Sequence, residues 1–131
     1  MLIIKGFDEI KLKDIARKSG SKQLVKDVSY LRVINHYSPG KLYCERLEDI
    51  AFLCGAKNSD HFRIIGIGVR TDMKGKGYGR FMLQRAIEYA KANGYHKIKT
   101  KTLSGVDFYQ KWANAKIVDM KDDDYIMEFN V

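Results

Sequence analysis

The chain has only one proline among its 131 residues, and no apolar run approaches the roughly 20 residues that a helix needs to span a bilayer. Its hydrophobic content of 45% excludes a disordered chain and is typical of a globular one. The first residues, Met1 to Lys5, lack the long apolar region of a signal peptide. We therefore expect a cytoplasmic protein that forms a single domain over residues 1–131.

Cysteine and histidine are also scarce, with two and three residues. Cys44 and Cys54 both lie in apolar, strand-like segments, so we expect reduced core residues and no disulfide. Neither segment suggests a nucleophile. His36, His61 and His96 lack metal-ligand spacing with one another or with cysteine. The sequence therefore predicts no metal site.

Acidic residues are outnumbered by basic ones, 16 against 24, which gives a formal net charge of +8. Such a balance favours an anionic partner. A cofactor with phosphate groups and a nucleic acid both meet that requirement. The charge alone does not choose between them.

The most informative segment runs from Val69 to Glu88, where a strand leads through a glycine-rich loop into a long amphipathic helix. Alternating glycines let consecutive backbone N–H groups face one concavity, and the helix start adds the positive end of its dipole. Glycine occupies every second position of the loop, at Gly75, Gly77 and Gly79, and the basic residues around it are Lys74, Lys76 and Arg80. This combination is typical of a phosphate or pyrophosphate site.

Two common phosphate loops are excluded by spacing. A Walker loop needs a Gly-Lys-(Ser/Thr) ending that this segment does not have. A dinucleotide-binding loop needs G-x-G-x-x-G, whereas the glycines here give G-x-G-x-G.

The pattern of apolar residues and turn signals predicts an α/β (α+β) chain with the order β-α-α-β-β-β-α-β-α-β. Short connections between the three central strands favour an antiparallel meander. The predicted elements are a strand from Leu2 to Phe7, a helix from Asp8 to Lys18, a helix capped by Ser21, strands near 41–47, 50–56 and 61–70, a helix that ends at Asn93-Gly94, a strand from His96 to Thr102, a short helix around Tyr109, and a closing segment at 115–119 with a strand from Tyr125 to Val131.

Two motifs and this order of elements resemble the GNAT superfamily of acetyl-CoA-dependent N-acetyltransferases. The segment Lys74 to Gly79 resembles that family's (Gln/Arg)-x-x-Gly-x-(Gly/Ala) loop, with lysine at the first position. About thirty residues later, Phe108-Tyr109-Gln110-Lys111 looks like its Phe-Tyr-(Glu/Gln)-Lys segment. The resemblance covers residues 64–131 well. It implies a GNAT-like fold, with a mixed, mostly antiparallel central sheet flanked by helices.

The resemblance also implies a reaction, in which an acetyl group moves from acetyl-CoA to an amine by direct attack. The loop would hold the pyrophosphate, the strand at Ile67 to Val69 would pair with the pantetheine amides, and Thr102 stands where the family often has asparagine. The cofactor-binding residues implied are Ile67, Gly68, Val69, Lys74, Gly75, Lys76, Gly77, Tyr78, Gly79, Arg80 and Thr102.

Tyr109 matches the family tyrosine whose hydroxyl lies near the cofactor sulfur, so the resemblance implies a general acid for the departing thiolate. Its neighbours Phe108 and Trp112 are expected to be core residues.

The general base is not given by the resemblance. The positions of the family's carboxylates correspond here to Arg63 and Lys97. His61 lies near the start of the strand before the loop and titrates in a useful range, so we name His61 as the candidate base. Asp60, Glu45 and Glu48 stay open as alternatives.

Two other classes of function stay open. The missing carboxylate is compatible with a CoA-binding regulatory module that lost catalysis. The charge is compatible with a nucleic-acid-binding protein, although no nucleic-acid motif is present and this class is not favoured. We expect an acceptor that is a small molecule or a protein amine, no membrane partner, and a monomer or homodimer. Residues 8–60 are expected to shape the acceptor pocket.

Overall fold

A computed structural model describes residues 2–131 and has one seven-stranded sheet in the order β1-β2-β3-β4-β5-β7-β6. The strands are β1 (Ile3–Lys5), β2 (Leu42–Leu47), β3 (Ala51–Lys57), β4 (Phe62–Val69), β5 (Lys97–Thr102), β6 (Lys116–Lys121) and β7 (Asp124–Asn130), and the helices are α1 (Glu9–Lys18), α2 (Lys22–Tyr37), α3 (Tyr78–Ala92) and α4 (Val106–Ala113). Within this range every neighbouring pair of strands is antiparallel except β4 and β5, which are parallel.

The predicted fold class is therefore confirmed, and the order of elements holds up to α4. After α4 the chain forms two strands, β6 and β7, where the predicted order has one. The difference arises at the acidic turn, because Asp122 and Asp123 both adopt positive φ and join the two strands into a hairpin. No helix in residues 2–131 is long and apolar enough to cross a membrane.

Side-chain caps fix where the first two helices begin. The Asp8 carboxylate accepts a hydrogen bond from Lys11 N at 3.1 Å, and the Ser21 hydroxyl accepts one from Leu24 N at 3.2 Å. Each bond satisfies a backbone donor that the first turn of a helix leaves open. The predicted cap at Ser21 is confirmed.

The sheet separates two apolar clusters. Helices α1 and α2 pack on one face around the fully buried Phe52, and α3 packs on the other face around Phe62 and Met82. Cys44 and Cys54 face each other across β2 and β3, and both are free and buried. The predicted core position of both cysteines is confirmed.

A buried charge lies where β2 meets α3. Glu45 is only 1% exposed, and its carboxylate accepts hydrogen bonds from Arg85 Nε at 2.7 Å and Nη2 at 3.0 Å. The Tyr43 hydroxyl donates a third bond to it at 2.5 Å. Burial alone raises the pKa of Glu45, but these bonds outweigh it, so the pKa lies below its ordinary value. Glu45 is thus a structural carboxylate.

Strand β4 contains an irregularity that opens the sheet. Its register against β3 places Gly55 opposite Ile64 and Cys54 opposite Gly66, so Ile65 is an extra residue. A bulge of this kind bends a strand and increases its twist. Pairing between β4 and β5 covers only Phe62 to Ile64, although β4 continues to Val69. The two strands therefore diverge directly after Ile64.

Candidate active site

A cavity of about 880 Å³ opens where β4 and β5 diverge. Its floor is the part of β4 from Ile64 to Val69, without Gly68, and one wall is the first half of α2. The glycine loop and the start of α3 close one end, while α4 supplies aromatic side chains on the opposite wall. Elements that are distant in sequence thus meet at the gap in the sheet.

The glycine loop has the backbone conformation that its sequence suggests. Gly75 and Gly77 have φ values of 79° and 88°, a region that is costly for residues with a Cβ atom. A Cβ atom at either position would meet nothing within 4 Å, so glycine is needed there for conformation and not for space. Gly77 precedes α3, which begins without a side-chain cap in the described chain, so the first-turn N–H groups are directed at the loop.

The three predicted basic residues of the loop have different positions. The Lys74 ammonium donates a hydrogen bond to the Ser19 carbonyl at 2.8 Å, which ties the loop to the C-terminal end of α1. The Arg80 guanidinium stacks over the Trp112 ring at 4.1 Å and lines the cavity. Lys76 is exposed and does not line it. Trp112 is 38% exposed, so the expectation that it is a core residue is wrong.

Most of the other predicted cofactor residues do come together, since Ile67, Val69, Gly75, Gly77, Tyr78, Gly79 and Thr102 all line the cavity. Gly68 is an exception, because a Cβ atom there would lie 2.4 Å from the ring of Phe52, the residue that pairs with Gly68 on β3. Its glycine is explained by core packing. Thr102 accepts a hydrogen bond from Gly105 N at 2.8 Å, which orients its hydroxyl at the start of α4.

Tyr109 lies in the cavity wall and is only 7% exposed. The Thr100 side chain acts on the Tyr109 phenol and lowers its pKa slightly, and the Thr100 hydroxyl donates a hydrogen bond to the Ile64 carbonyl at 3.0 Å. Ile64 is the last residue of β4 that pairs with β5, so the phenol points at the place where the strands separate. Burial raises the pKa of Tyr109 to about 12, and the phenol therefore stays protonated at neutral pH.

His61, the candidate base, does not lie in the cavity. It precedes β4 at the strand's opposite end from the glycine loop, and its Nδ1 is 2.6 Å from the Asp60 carboxylate. Asp60 and Glu48 do not line the cavity either, and Glu45, which is held by Arg85 of α3, also lies outside it. A strand spaces its residues by about 3.3 Å, so closeness in sequence to β4 did not mean closeness to the loop.

Sequence reasoning missed a carboxylate that does line the cavity, that of Asp27 on α2. Its Oδ1 accepts a hydrogen bond from Gln23 Nε2 at 2.9 Å, and its Oδ2 lies 3.9 Å from the place that a Cβ atom on Gly66 would take. Burial raises the pKa of Asp27, although Gln23 and the charge of Arg63 oppose that rise. The sequence does contain a sign of this position. Asp27 falls on the apolar face of α2 with Leu24 and Val28, where a carboxylate is unexpected unless it faces a polar site.

Further charged groups line the same cavity, namely Arg63, Lys101 and Asp124. The Lys101 ammonium lies 3.9 Å from Asp124, whereas the Arg63 guanidinium makes no hydrogen bond and no ion pair within 4 Å with another described residue. In residues 2–131 no group of three His, Cys, Asp or Glu side chains is placed to hold a metal ion.

Comparison of the sequence with known families gives a match over residues 11–114 to the acetyltransferase (GNAT) family. No curated protein sequence matches the chain.

Solved structures give further matches over nearly the whole chain. The PaiA N-acetyltransferase of Thermoplasma acidophilum in complex with coenzyme A has a TM-score of 0.78 at 18% identity, with 100% of both chains covered. The aminoglycoside 6'-N-acetyltransferase of Enterococcus faecium has a TM-score of 0.74 at 15% identity, covering 99% of this chain and 97% of that one. A GNAT family acetyltransferase of Elizabethkingia anophelis with acetyl-CoA bound reaches 0.69 at 15% identity, with the same coverage. At these identities the likeness establishes the fold.

Proposed function

This chain belongs to the acetyltransferase (GNAT) family, and on that premise we propose that it transfers the acetyl group of acetyl-CoA to an amine by direct attack. The observation that carries the proposal is the cavity between β4 and β5, which brings the glycine loop, the unpaired part of β4 and Tyr109 to one space. Two similar structures are named as N-acetyltransferases, which supports an amine as the acceptor.

The residues of the cavity suit the parts of acetyl-CoA. Backbone N–H groups of the loop from Lys74 to Arg80 bind the pyrophosphate at the start of α3. The edge of β4 from Ile67 to Val69 has no partner in β5, so its backbone groups are open to pair with the pantetheine amides. Thr102 offers a hydroxyl to the same arm. The Val69 N–H polarises the thioester carbonyl and stabilises the oxyanion that forms there.

The reaction follows from these positions. A neutral amine attacks the thioester carbonyl carbon, the C–N bond forms, and the C–S bond breaks as the oxyanion collapses. The leaving sulfur takes a proton from the Tyr109 hydroxyl. No acyl-enzyme is formed, and both cysteines are buried in the sheet away from the cavity.

Acetyl-CoA is expected to raise the melting temperature of the protein, because a ligand that binds only the folded state stabilises it by mass action. At a concentration of 100 times Kd the gain is about 2.7 kcal/mol. Differential scanning fluorimetry measures the shift, and acetyl-pantetheine, which lacks the pyrophosphate, is the matched control with a much smaller expected effect. An unchanged melting temperature at saturating acetyl-CoA contradicts the proposal.

Gly77→Val is expected to weaken acetyl-CoA binding by about ten- to hundredfold, since valine at a φ of 88° is strained by roughly 1–3 kcal/mol and the loop leaves its binding conformation. Gly94→Val is the matched control, because Gly94 has a φ of 80° in open space at the other end of α3. It should lose similar stability but keep its affinity. Equal affinity of both variants in isothermal titration excludes the loop as the pyrophosphate site.

Transfer itself is tested by release of free thiol from acetyl-CoA in the presence of amines. Release that depends on the amine supports an enzyme, whereas binding of acetyl-CoA without release from any amine indicates a regulatory module. Titration with oligonucleotides over a salt series tests the nucleic-acid alternative.

A further inference from the structure

The α2 side of the cavity contains two opposite charges that the proposed reaction leaves without a role, the Asp27 carboxylate and the Arg63 guanidinium. Both side chains lie on the sheet face that α1 and α2 cover, while Tyr109 approaches from α4. An acceptor must enter between these walls to reach the thioester. The chemistry of the two groups therefore bears on which acceptor fits.

The Asp27 carboxylate is placed to meet an amine. Gln23 holds one carboxylate oxygen, and the other lies over Gly66, next to the diverging part of β4. A Cβ atom on Gly66 would also meet Leu24 at 3.0 Å, so the glycine lets α2 approach β4 closely and places the Asp27 carboxylate beside the strand, where it lines the cavity. The charge of Asp27 also acts on the Tyr109 phenol, so the carboxylate and the proposed acid face the same space.

The Arg63 guanidinium is placed to meet an anion. It lies at the boundary between the main cavity and a side cavity of about 140 Å³, and Tyr30 and Ile65 also line both. The side cavity adds the Lys41 ammonium and the polar side chains of Ser38 and Asn58. No acidic residue lines it. The Arg63 guanidinium makes no hydrogen bond and no ion pair within 4 Å with another described residue, and a guanidinium in such a place binds a carboxylate or phosphate well.

On the basis of the proposed acetyl transfer, we propose that Asp27 and Arg63 form the acceptor subsite and that the acceptor is a primary alkylamine with an anionic group. The ammonium binds to Asp27 in the main cavity, and the anionic group binds to Arg63 at the side cavity. An amine that lacks an anionic group binds to Asp27 but leaves Arg63 without a ligand.

Asp27 then takes part in the chemistry. An alkylammonium cannot attack until it loses a proton, and Asp27 accepts that proton and later releases it to water. The amine nitrogen forms the C–N bond as the C–S bond breaks. The nitrogen loses a second proton as the amide forms. This proton goes to Tyr109 and replaces the one that Tyr109 gives to the sulfur. The net reaction yields the amide, free CoA thiol and one proton.

Several charged or titratable groups face Asp27 from the surrounding elements, and they determine its proton affinity together. Burial raises its pKa and makes it a stronger base than an exposed aspartate. The other groups act in both directions, and they are Gln23 on α2, Arg63 on β4, Lys101 on β5, Asp124 on β7 and Tyr109 on α4.

A thiol-release assay with matched amines separates the role of Asp27 as proton acceptor from the role of Arg63 in binding the anionic group. The alkyl series is β-alanine, 4-aminobutyrate and 6-aminohexanoate with ethylamine, propylamine and pentylamine as their uncharged-tail partners. Aniline and 4-aminobenzoate are the aromatic pair, and they are already neutral at pH 7. For the wild type, at least one amino acid should exceed its alkylamine by about tenfold in kcat/KM.

Asp27→Asn should lower kcat/KM for the alkyl amines by about a hundredfold or more and leave the aromatic pair within a few fold. Its residual alkyl rate should rise with pH, since only amine that is already neutral reacts. Arg63→Gln should remove the preference for the carboxylate, so that each amino acid falls to the kcat/KM of its alkylamine partner in the same variant. Asp14→Asn, which changes an exposed carboxylate paired with Lys18 on α1, is the control and should match the wild type.

Each failure has a distinct meaning. If acetyl-CoA gives no thermal shift in the wild type, the proposed acetyl transfer itself is wrong. If the wild type is active but prefers no carboxylate-bearing amine, the subsite is wrong while the transferase stands. An equal loss of alkyl and aromatic activity in Asp27→Asn, with the thermal shift by acetyl-CoA retained, overturns the role of Asp27 as proton acceptor.

Discussion

Tyr109→Phe is expected to lower kcat by about a hundredfold to ten-thousandfold while the affinity for acetyl-CoA stays nearly the same. The substitution keeps the buried ring and its edge contact with Phe108, and it removes only the hydroxyl at the point where β4 and β5 separate. Because the pKa of Tyr109 is raised to about 12, the wild-type phenol remains a donor over the whole range in which the protein is assayed. Thiol release gives kcat, and isothermal titration gives the affinity.

Tyr89→Phe is the control for this result. Tyr89 is a partly buried tyrosine on α3 that stacks on Tyr43, and it does not line the cavity. It should keep the wild-type kcat. If Tyr109→Phe loses stability and activity in equal measure, Tyr109 is a packing residue, and an unchanged kcat removes it from the mechanism.

Arg85→Met is expected to cost about 3–5 kcal/mol of unfolding free energy, because it leaves the Glu45 carboxylate buried without its partner. The double variant Arg85→Met with Glu45→Leu should recover most of that loss, since no charge then remains in the site. Urea denaturation measures all three proteins. Lys18→Met, which breaks the exposed pair with Asp14, should cost no more than about 1 kcal/mol.

The pH dependence gives a second signature of the same pair. In the wild type the pKa of Glu45 is lowered, so its contribution is present above the ordinary value of 4.5 and is lost as the pH falls through the folded-state pKa. In Arg85→Met burial is no longer opposed by the guanidinium and raises that pKa, so acidification stabilises the variant. The difference in unfolding free energy between the wild type and Arg85→Met should therefore narrow as the pH falls. A constant difference would show that Glu45 does not cause it.

Local patterns made the glycine loop, the cap at Ser21 and most element boundaries predictable. The loop depends on residues within six positions of one another, and the cap depends on a donor three residues later. Tyr109 was singled out by the family resemblance instead, and both Gly77 and Tyr109 line the cavity.

The irregular features depend on distant partners and were not predictable in this way. From Ile64 to Val69 every residue is apolar or glycine, so either register of β4 against β3 satisfies the pattern and the bulge leaves no trace in it. Asp27 was missed because its place in the cavity follows from where α2 crosses β4. His61 was named because it is near β4 in sequence, and the length of the strand separates it from the cavity.

The extra residue in β4 also makes the cavity sensitive to the length of this strand. One codon distinguishes this strand from a regular one, since without Ile65 the side chains from Arg63 to Val69 would alternate evenly between the two faces. A deletion of Ile65 is therefore expected to straighten β4 and to extend its pairing with β5, which would narrow the gap where the cavity lies.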